Sequence, residues 1–178
     1  MTMVGCDRSV ELLKICRGNH YEVNLVDGLF LPYRKGVFDA VICIAVLHHL
    51  STNSLRRRFL VSMMKVMRKG GRAMIVVWSL EQLTRESDKD DRNGKKSRRG
   101  TNRSKFSTVG EESLISWTLK SKGNGEPEMK YYRYYHLFPA GELEWLISTI
   151  DGLKVIEVGY DNDNWYAVIE KIVDCSVC

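Results

Sequence analysis

Apolar positions in the first half of the chain alternate between the spacing of strands and the spacing of helices. Strand-like segments lie at Met3–Asp7, Tyr21–Asp27, Phe38–Val46 and Arg72–Trp78. Helical stripes lie in Ser9–Arg17, with Ser9 as the N-cap, and from Leu55 to Met67, where Gly70-Gly71 is the expected helix stop. Strands and helices in this order predict a parallel sheet with helices on both faces.

The C-terminal part of the chain predicts a helix followed by a hairpin. Apolar residues recur at helical spacing within Glu142–Ile150. Leu153–Tyr160 and Trp165–Ile172 have strand patterns, and the short segment between them is rich in Asp and Asn, which favour tight turns. The predicted α/β fold is therefore a parallel sheet that ends in an antiparallel hairpin.

Composition is that of one globular domain, interrupted by a polar segment. The chain has 178 residues, of which 44% are hydrophobic and 28% charged, so residues 1–178 are expected to form a single domain. At about 83–112, Lys, Arg, Asp, Asn, Ser and Gly replace almost all apolar residues, which predicts a mobile insertion. Nine basic residues between Arg85 and Lys105 suit contacts with phosphates, and a solvated linker that binds nothing is the alternative.

Charge and cysteine content restrict the cellular compartments and the classes of partner that are expected. The net charge of +5 permits a polyanionic partner, and no apolar run is long enough to span a bilayer. Five scattered cysteines favour a reducing compartment, cytoplasmic or also nuclear. Neither the adjacent His48 and His49 nor the pair Cys175 and Cys178 has the spacing of a complete metal site, so no metal is expected.

Two aspartates end predicted strands, where ligands bind in parallel sheets. The Asp7 carboxylate can accept both ribose hydroxyls of an adenosine, and Asp27 can accept its amino group. Leu29 and Val46 are candidates to flank the adenine, and the backbone from Ile44 to Val46 is a candidate to line it. A helix N-cap or a turn explains either aspartate equally well.

The run Tyr-Tyr-Arg-Tyr-Tyr-His at 131–136 is unusual for a core strand. Arg133 has the planar fork that suits a carboxylate. Tyr134, Tyr135 and His136 suit stacking or hydrogen bonding with an extruded nucleoside. In a strand, Arg133 and Tyr135 share one face and Tyr134 and His136 the other, so an amphipathic strand with core tyrosines is the alternative.

Several segments together resemble one enzyme family, the tRNA wobble-uridine carboxymethyl methyltransferases, which include the methyltransferase domain of the AlkB-homologue fusion. They are Val4–Ser9, Ile44–Leu50, Val76–Gln82, Tyr131–Phe138 and Asp161–Tyr166. The resemblance implies a Rossmann-like class I methyltransferase sheet and S-adenosylmethionine as cofactor. It also implies methyl transfer to the carboxylate of 5-carboxymethyluridine at the wobble position of tRNA.

Site roles follow from the same resemblance. Arg133, His49 and Tyr135 are the candidate catalytic residues, and Asn164 and Trp165 join Arg133–His136 as candidate substrate ligands. His49 follows a strand end, where a pocket-shaping, hydrogen-bonding role and a plain core-packed histidine both remain open. An ionised carboxylate acceptor needs no catalytic base.

The resemblance also implies a partner and a departure from the family pattern. The family's small zinc-binding activator protein is expected at the edge strand that carries Tyr21, Val23 and Leu25. The family's first strand and Gly-x-Gly-x-Gly loop have no counterpart, so the chain is expected to be N-terminally shortened. A catalytically silent relative that binds RNA or protein therefore stays open beside the enzyme, as does a small-molecule methyltransferase.

Overall fold

The computed structural model describes residues 2–81, 106–109, 112–119 and 129–173. Its strands are β1 (Gly5–Asp7), β2 (Val23–Leu25), β3 (Phe38–Ile44), β4 (Met67–Trp78), β5 (Phe106–Val109), β6 (Glu112–Leu119), β7 (Met129–His136), β8 (Leu153–Asp161) and β9 (Asn164–Lys171). Its helices are α1 (Val10–Gly18), α2 (Asn53–Val66) and α3 (Glu142–Ser148), with a short 3-10 helix at Leu47–His49.

The main sheet has the order β3-β4-β9-β8. β3 and β4 are parallel, and β9 and β8 add to them in antiparallel fashion. The hairpin turns through Asn162 and Asp163, whose φ angles of 46° and 64° are left-handed values that Asn and Asp tolerate. The predicted parallel sheet with a closing hairpin is confirmed.

The core lies on one face of this sheet. Ile75 and Val77 of β4 are fully buried beneath α2 and α3. On the opposite face, Ile42, Ile44 and Met74 are 67%, 57% and 40% exposed, because alternate strand residues point to opposite sides. The described helices α2 and α3 pack on the buried face, and the presence of helices on both faces remains a prediction. None of the described helices is long and apolar enough to cross a membrane.

β1 and β2 form a separate parallel pair beside α1. Ser9 caps α1 as predicted, since its hydroxyl accepts from the Leu12 N–H at 3.3 Å. Within the described ranges, β1 pairs with β2 and β3 pairs with β4, and β1 and β3 do not pair with each other. The C-terminal ends of β1 and β3 therefore border an open space.

The end of α2 differs from the predicted one. The helix stops at Val66, and Met67 already has extended dihedrals and pairs with Phe38. Arg68–Gly71 then form a bulge before the pairing resumes at Arg72. Gly71 is needed there rather than as a helix stop, because a Cβ on it would lie 2.8 Å from the Arg68 carbonyl oxygen.

β5, β6 and β7 form a small antiparallel sheet. β5 falls within the insertion predicted at about 83–112, so the last part of that segment contains a strand. Pairing with β6 provides hydrogen-bond partners for the backbone of β5, and composition alone did not predict this pairing. Residues 82–105, with the basic cluster, and the Cys175–Cys178 pair lie outside the described residues, so their roles and the single-domain assignment remain predictions.

Candidate active site

A cavity of about 160 Å³ lies where β1, β2 and β3 end. Asp7 and Asp27 line it, as do the apolar side chains of Leu29 and Val46. The fifth predicted cofactor residue, Ile44, lies at the end of β3 with its side chain 57% exposed. The structure thus brings four of the five predicted residues around one space.

Both aspartates also have a local structural role. The Ser9 N–H donates to Oδ1 of Asp7 at 2.7 Å, and the Leu29 N–H donates to Oδ1 of Asp27 at 3.0 Å. A carboxylate offers about four acceptor sites on two oxygens. The turn and cap alternative is therefore correct, and it still leaves Oδ2 of each carboxylate to accept from a ligand.

Gly28, between Asp27 and Leu29, allows the floor of the cavity to form. A Cβ on Gly28 would lie 2.3 Å from the Phe59 ring, so any other residue would displace this ring or the turn. Phe59 and Met63 of α2 close the cavity from below.

These acceptors and apolar walls fit the adenosine part of S-adenosylmethionine. Two carboxylates suit the hydroxyl and amino donors of a nucleoside, and apolar side chains suit its base. The described cavity is smaller than the roughly 300–1,000 Å³ of typical small-molecule sites. It therefore accounts for one part of a cofactor site.

A second group of side chains, the aromatic cluster, consists of His48, His49, Trp78 and Tyr135. The Tyr135 ring stacks on Trp78 with 4.5 Å between centroids, and it meets His49 edge-on at 4.5 Å. His48 lies 5.2 Å from both Trp78 and Tyr135. The cluster joins the end of β4 to β7 of the small sheet.

The two histidines of the cluster are held in their neutral forms. Burial, followed by the nearby His49 and His136, lowers the pKa of His48 to about 3. Its Nδ1 accepts from the Trp78 N–H at 3.2 Å, which requires that nitrogen to be unprotonated. Burial is also the largest cause that lowers the pKa of His49, with a contribution from the Arg133 charge.

The His49 tautomer follows from its partner. Nδ1 lies 3.3 Å from the Tyr134 carbonyl oxygen, which can only accept, so Nδ1 carries the proton. The other ring nitrogen, Nε2, is then an acceptor. The Tyr134 hydroxyl donates to the Ser51 carbonyl oxygen at 3.4 Å, which is a second link between β7 and the segment that follows β3.

The turn from Val46 to Leu50 connects the cavity with the aromatic cluster. Val46 and Leu50 line the cavity, and His48 and His49, between them in the chain, belong to the cluster. Ala45, just before the turn, has a φ of 59°, which redirects the chain as it leaves β3. Arg133 is exposed and close enough to affect His49 by its charge.

The remaining predicted substrate residues are directed elsewhere. His136 is buried, and its Nε2 lies 2.7 Å from a Glu142 carboxylate oxygen. The Asn164 amide donates to the Asn162 carbonyl in the hairpin turn at 2.8 Å. The Trp165 Nε1 donates to Oε2 of Glu81 at 3.0 Å. The structure thus does not bring these three side chains together with Arg133.

Sequence reasoning missed Trp78 and Glu81 as site residues. Trp78 is the last residue of a predicted strand, and such a strand-end position was itself a signal. Glu81 accepts from both Trp165 and the Ala140 N–H, a pairing of distant segments that no local pattern encodes. Among the described residues, no group of three or more His, Cys, Asp or Glu side chains is arranged for a metal.

Known proteins are similar in sequence over most of the chain. A family described as a methyltransferase domain matches residues 1–75. A tRNA (carboxymethyluridine(34)-5-O)-methyltransferase of Schizosaccharomyces pombe is 37% identical over 183 residues, 95% of this chain and 72% of that protein. The alkbh8 enzyme of the same description from Xenopus tropicalis is 33% identical over 97% of this chain, which spans about a third (32%) of that relative.

Solved structures agree on the fold at low identity. An S-adenosylmethionine-dependent methyltransferase from Clostridium acetobutylicum superposes with a TM-score of 0.63 at 11% identity, over 96% of this chain and 75% of its own. Streptomyces venezuelae DesVI superposes with a TM-score of 0.66 at 18% identity, over 94% of this chain and 73% of its own. Together with the identity to the yeast relative across nearly all of the chain, this places the protein in the tRNA (carboxymethyluridine(34)-5-O)-methyltransferase family.

Proposed function

We propose that this chain methylates the carboxylate of 5-carboxymethyluridine at the wobble position of tRNA, with S-adenosylmethionine as the methyl donor. The names of the relatives from S. pombe and X. tropicalis support the substrate. The observation that carries the proposal is the Val46–Leu50 turn, which has a cavity with two carboxylates on one side and the aromatic cluster on the other.

The cavity is the proposed cofactor side. Asp7 accepts from the ribose hydroxyls and Asp27 from the adenine amino group, while Leu29 and Val46 flank the base. Ile44 contributes through the backbone at the end of β3. When bound, S-adenosylmethionine supplies a methyl group on a positively charged sulfur, to which an ionised carboxylate is a sufficient nucleophile.

Arg133 and the aromatic cluster form the proposed acceptor side. The Arg133 guanidinium holds the acceptor carboxylate with two parallel donors, so positioning supplies most of the rate gain. Tyr135 is fixed by its stack on Trp78 and offers a rigid surface to the uracil. His49, neutral and protonated on Nδ1, keeps Nε2 to accept a hydrogen bond from the nucleoside.

The other substrate candidates act through the elements that they hold. Tyr134 and His136 attach β7 to the Ser51 backbone and to Glu142. Asn164 and Trp165 order the hairpin and its contact with Glu81. In this proposal they act by holding β7 and the β8–β9 hairpin in place.

A catalytically silent RNA-binding protein is the second candidate. It is favoured by one observation, that the cavity formed by the described residues, at about 160 Å³, is smaller than a typical small-molecule site. Such a protein would keep Arg133 and the aromatic cluster for a nucleoside and would bind tRNA without methylating it.

A small zinc-binding activator protein is the proposed partner. Tyr21, two residues before β2, and Leu25, the last residue of β2, are each 58% exposed. β2 pairs with β1 and has no second partner in the described residues. Apolar side chains along an unpaired edge favour contact with another chain. A cytoplasmic location, where tRNA and a reducing environment occur, completes the proposal.

The test is methyl transfer measured on isolated nucleosides. The chain, alone and co-expressed with the activator, is incubated with S-adenosylmethionine and tRNA that carries 5-carboxymethyluridine, and the digested nucleosides are analysed by mass spectrometry. The methyl ester is the expected product. Binding of this tRNA without ester formation would support the silent protein, and a lack of both would refute both candidates.

A further inference from the structure

Arg56 is a buried charge, although arginine usually lies at the protein surface. Its side chain is 4% exposed, on α2. A buried guanidinium is costly unless its donors and its charge are matched. The groups that match it therefore indicate what it holds together.

One partner of Arg56 belongs to the turn that joins the cavity and the aromatic cluster. Nε donates to the Leu50 carbonyl oxygen at 3.0 Å, directly after His48 and His49. Leu50 also lines the cavity. The guanidinium therefore fixes the end of the turn on which both parts of the proposed site depend.

Nη1 of Arg56 contacts two further groups: it donates to Oδ1 of Asn53 at the start of the same helix, and it lies near Glu142, which leads on to β7. Nη1 of Arg56 lies 3.6 Å from Oε1 of Glu142, and the two Glu142 oxygens lie 2.8 and 2.7 Å from Nε2 of His136. Phe138 fills the space beneath, with its ring 5.6 Å from the guanidinium carbon. His136 is the last residue of the strand that carries Arg133 and Tyr135.

Tyr134 reports the same proximity. Burial is the largest cause that raises the pKa of Tyr134, followed by the charge of Glu112, while the charge and a hydrogen bond of Arg56 oppose the rise. Arg56 thus reaches β7 at two points, through Tyr134 and through Glu142 and His136.

We propose that Arg56 is a positioning residue that holds the Val46–Leu50 turn and β7 in a fixed relation, so that His49 and Arg133 face the same acceptor. The inference rests on the proposed function for its catalytic consequence and on geometry alone for the positioning. A planar guanidinium donates in several fixed directions at once, and a lysine ammonium on a flexible stem cannot satisfy Leu50 and Glu142 together.

Arg56→Lys is the decisive variant, because it keeps the charge and removes the fork. The neighbouring exposed Arg57→Lys on the same helix is the matched control. The first readout is nuclear magnetic resonance of the His49 ring, through its contact with the Tyr135 ring and its titration. In Arg56→Lys the His49–Tyr135 contact should weaken, and the pKa of His49 should rise toward its ordinary value. The control Arg57→Lys should behave like the wild type in both measurements.

The second readout is kinetic. A misplaced acceptor should lower kcat for methyl transfer about 10- to 100-fold with an unchanged Kd for S-adenosylmethionine. If the wild-type chain methylates nothing, the proposed function fails while the resonance measurement still decides the positioning. A folded Arg56→Lys protein with an unaltered His49–Tyr135 contact and His49 titration would overturn the inference.

Glu142→Gln decides the matter if Arg56→Lys does not fold. Removal of a negative charge by itself would lower the pKa of His49, whereas release of β7 would expose the ring and raise it. A raised pKa together with a weakened His49–Tyr135 contact supports the inference. A lowered or unchanged pKa with the contact intact overturns it.

Discussion

The Tyr135 ring lies almost parallel to the Trp78 ring, at 11° with 4.5 Å between centroids. Tyr135 belongs to the small sheet and Trp78 ends β4, an inner strand of the main sheet, so this stack joins the two sheets. The proposed acceptor site is formed at their junction.

Loss of this stack should destabilise the protein. Tyr135→Ala removes a buried ring and should lower the free energy of unfolding by about 3–5 kcal/mol, as for other buried aromatic residues. Tyr135→Phe keeps the stacked surface and should cost far less. Chemical denaturation measures both, with the 63% exposed Tyr132→Ala on the same strand as control. Equal losses for Tyr132→Ala and Tyr135→Ala would contradict the structural importance of the stack.

Asp7→Asn should weaken S-adenosylmethionine binding. The amide oxygen still accepts from Ser9, so the turn is retained, and the lost charge-assisted acceptor should cost about 1–3 kcal/mol of binding free energy. Isothermal titration gives the affinity. Asp39→Asn, which affects an exposed carboxylate paired with Arg68, is the control and should bind like the wild type. An unchanged affinity in Asp7→Asn would remove Asp7 from the site.

Arg133→Ala should abolish recognition of the acceptor carboxylate and leave the affinity for S-adenosylmethionine unchanged. Arg133→Lys should restore little, because a point charge does not reproduce the planar fork. Nucleoside mass spectrometry of treated tRNA measures ester formation, and Arg57→Ala controls for the loss of one surface charge. Full ester formation by Arg133→Ala would show that another residue orients the acceptor.

His48 should make the stability depend on pH. Its pKa is 6.5 unfolded and about 3 folded, so the unfolded chain binds the extra proton between these values. The contribution of His48 to the free energy of unfolding is therefore fully present well above pH 6.5 and is lost as the pH falls toward 3. Between pH 7.5 and 5 the loss is about 2 kcal/mol. The variant His48→Asn keeps an acceptor for the Trp78 N–H, and its stability should not show this pH-dependent decrease. The control His20→Asn, at an exposed histidine, should show the same decrease as the wild type. Parallel pH slopes for wild type and His48→Asn in chemical denaturation would refute the prediction.

Leu25→Lys should disrupt binding of the activator protein. A lysine at the exposed edge of β2 places a charge in an apolar contact and opposes strand pairing. Co-purification of the two chains measures the effect. Ile156→Lys is the matched control, since Ile156 is 42% exposed on β8, the edge strand of the main sheet. Retention of the activator by Leu25→Lys, or its equal loss in the control, would exclude β2 as the contact.

Local patterns predicted much of the fold. Helical spacing with Ser9 as a cap predicted α1, and the Asp/Asn turn between two alternating segments predicted the β8–β9 hairpin. These features depend on neighbours in sequence, through capping and turn dihedrals, so they can be derived from it. The bulge at Arg68–Gly71 depends on pairing with β3, which is distant in sequence, and could not be predicted.

The sequence by itself determined which side chains were available: aspartates at strand ends, Arg133 among tyrosines, and histidines after β3. Periodicity also determined that Arg133 and Tyr135 share one strand face. Only the tertiary structure decided that Tyr135 meets Trp78 and His49, that His136 turns to Glu142, and that Trp165 bonds to Glu81. Strand alternation gives two possible directions for a side chain, and its partner is set by the elements that pack there, which are distant in sequence.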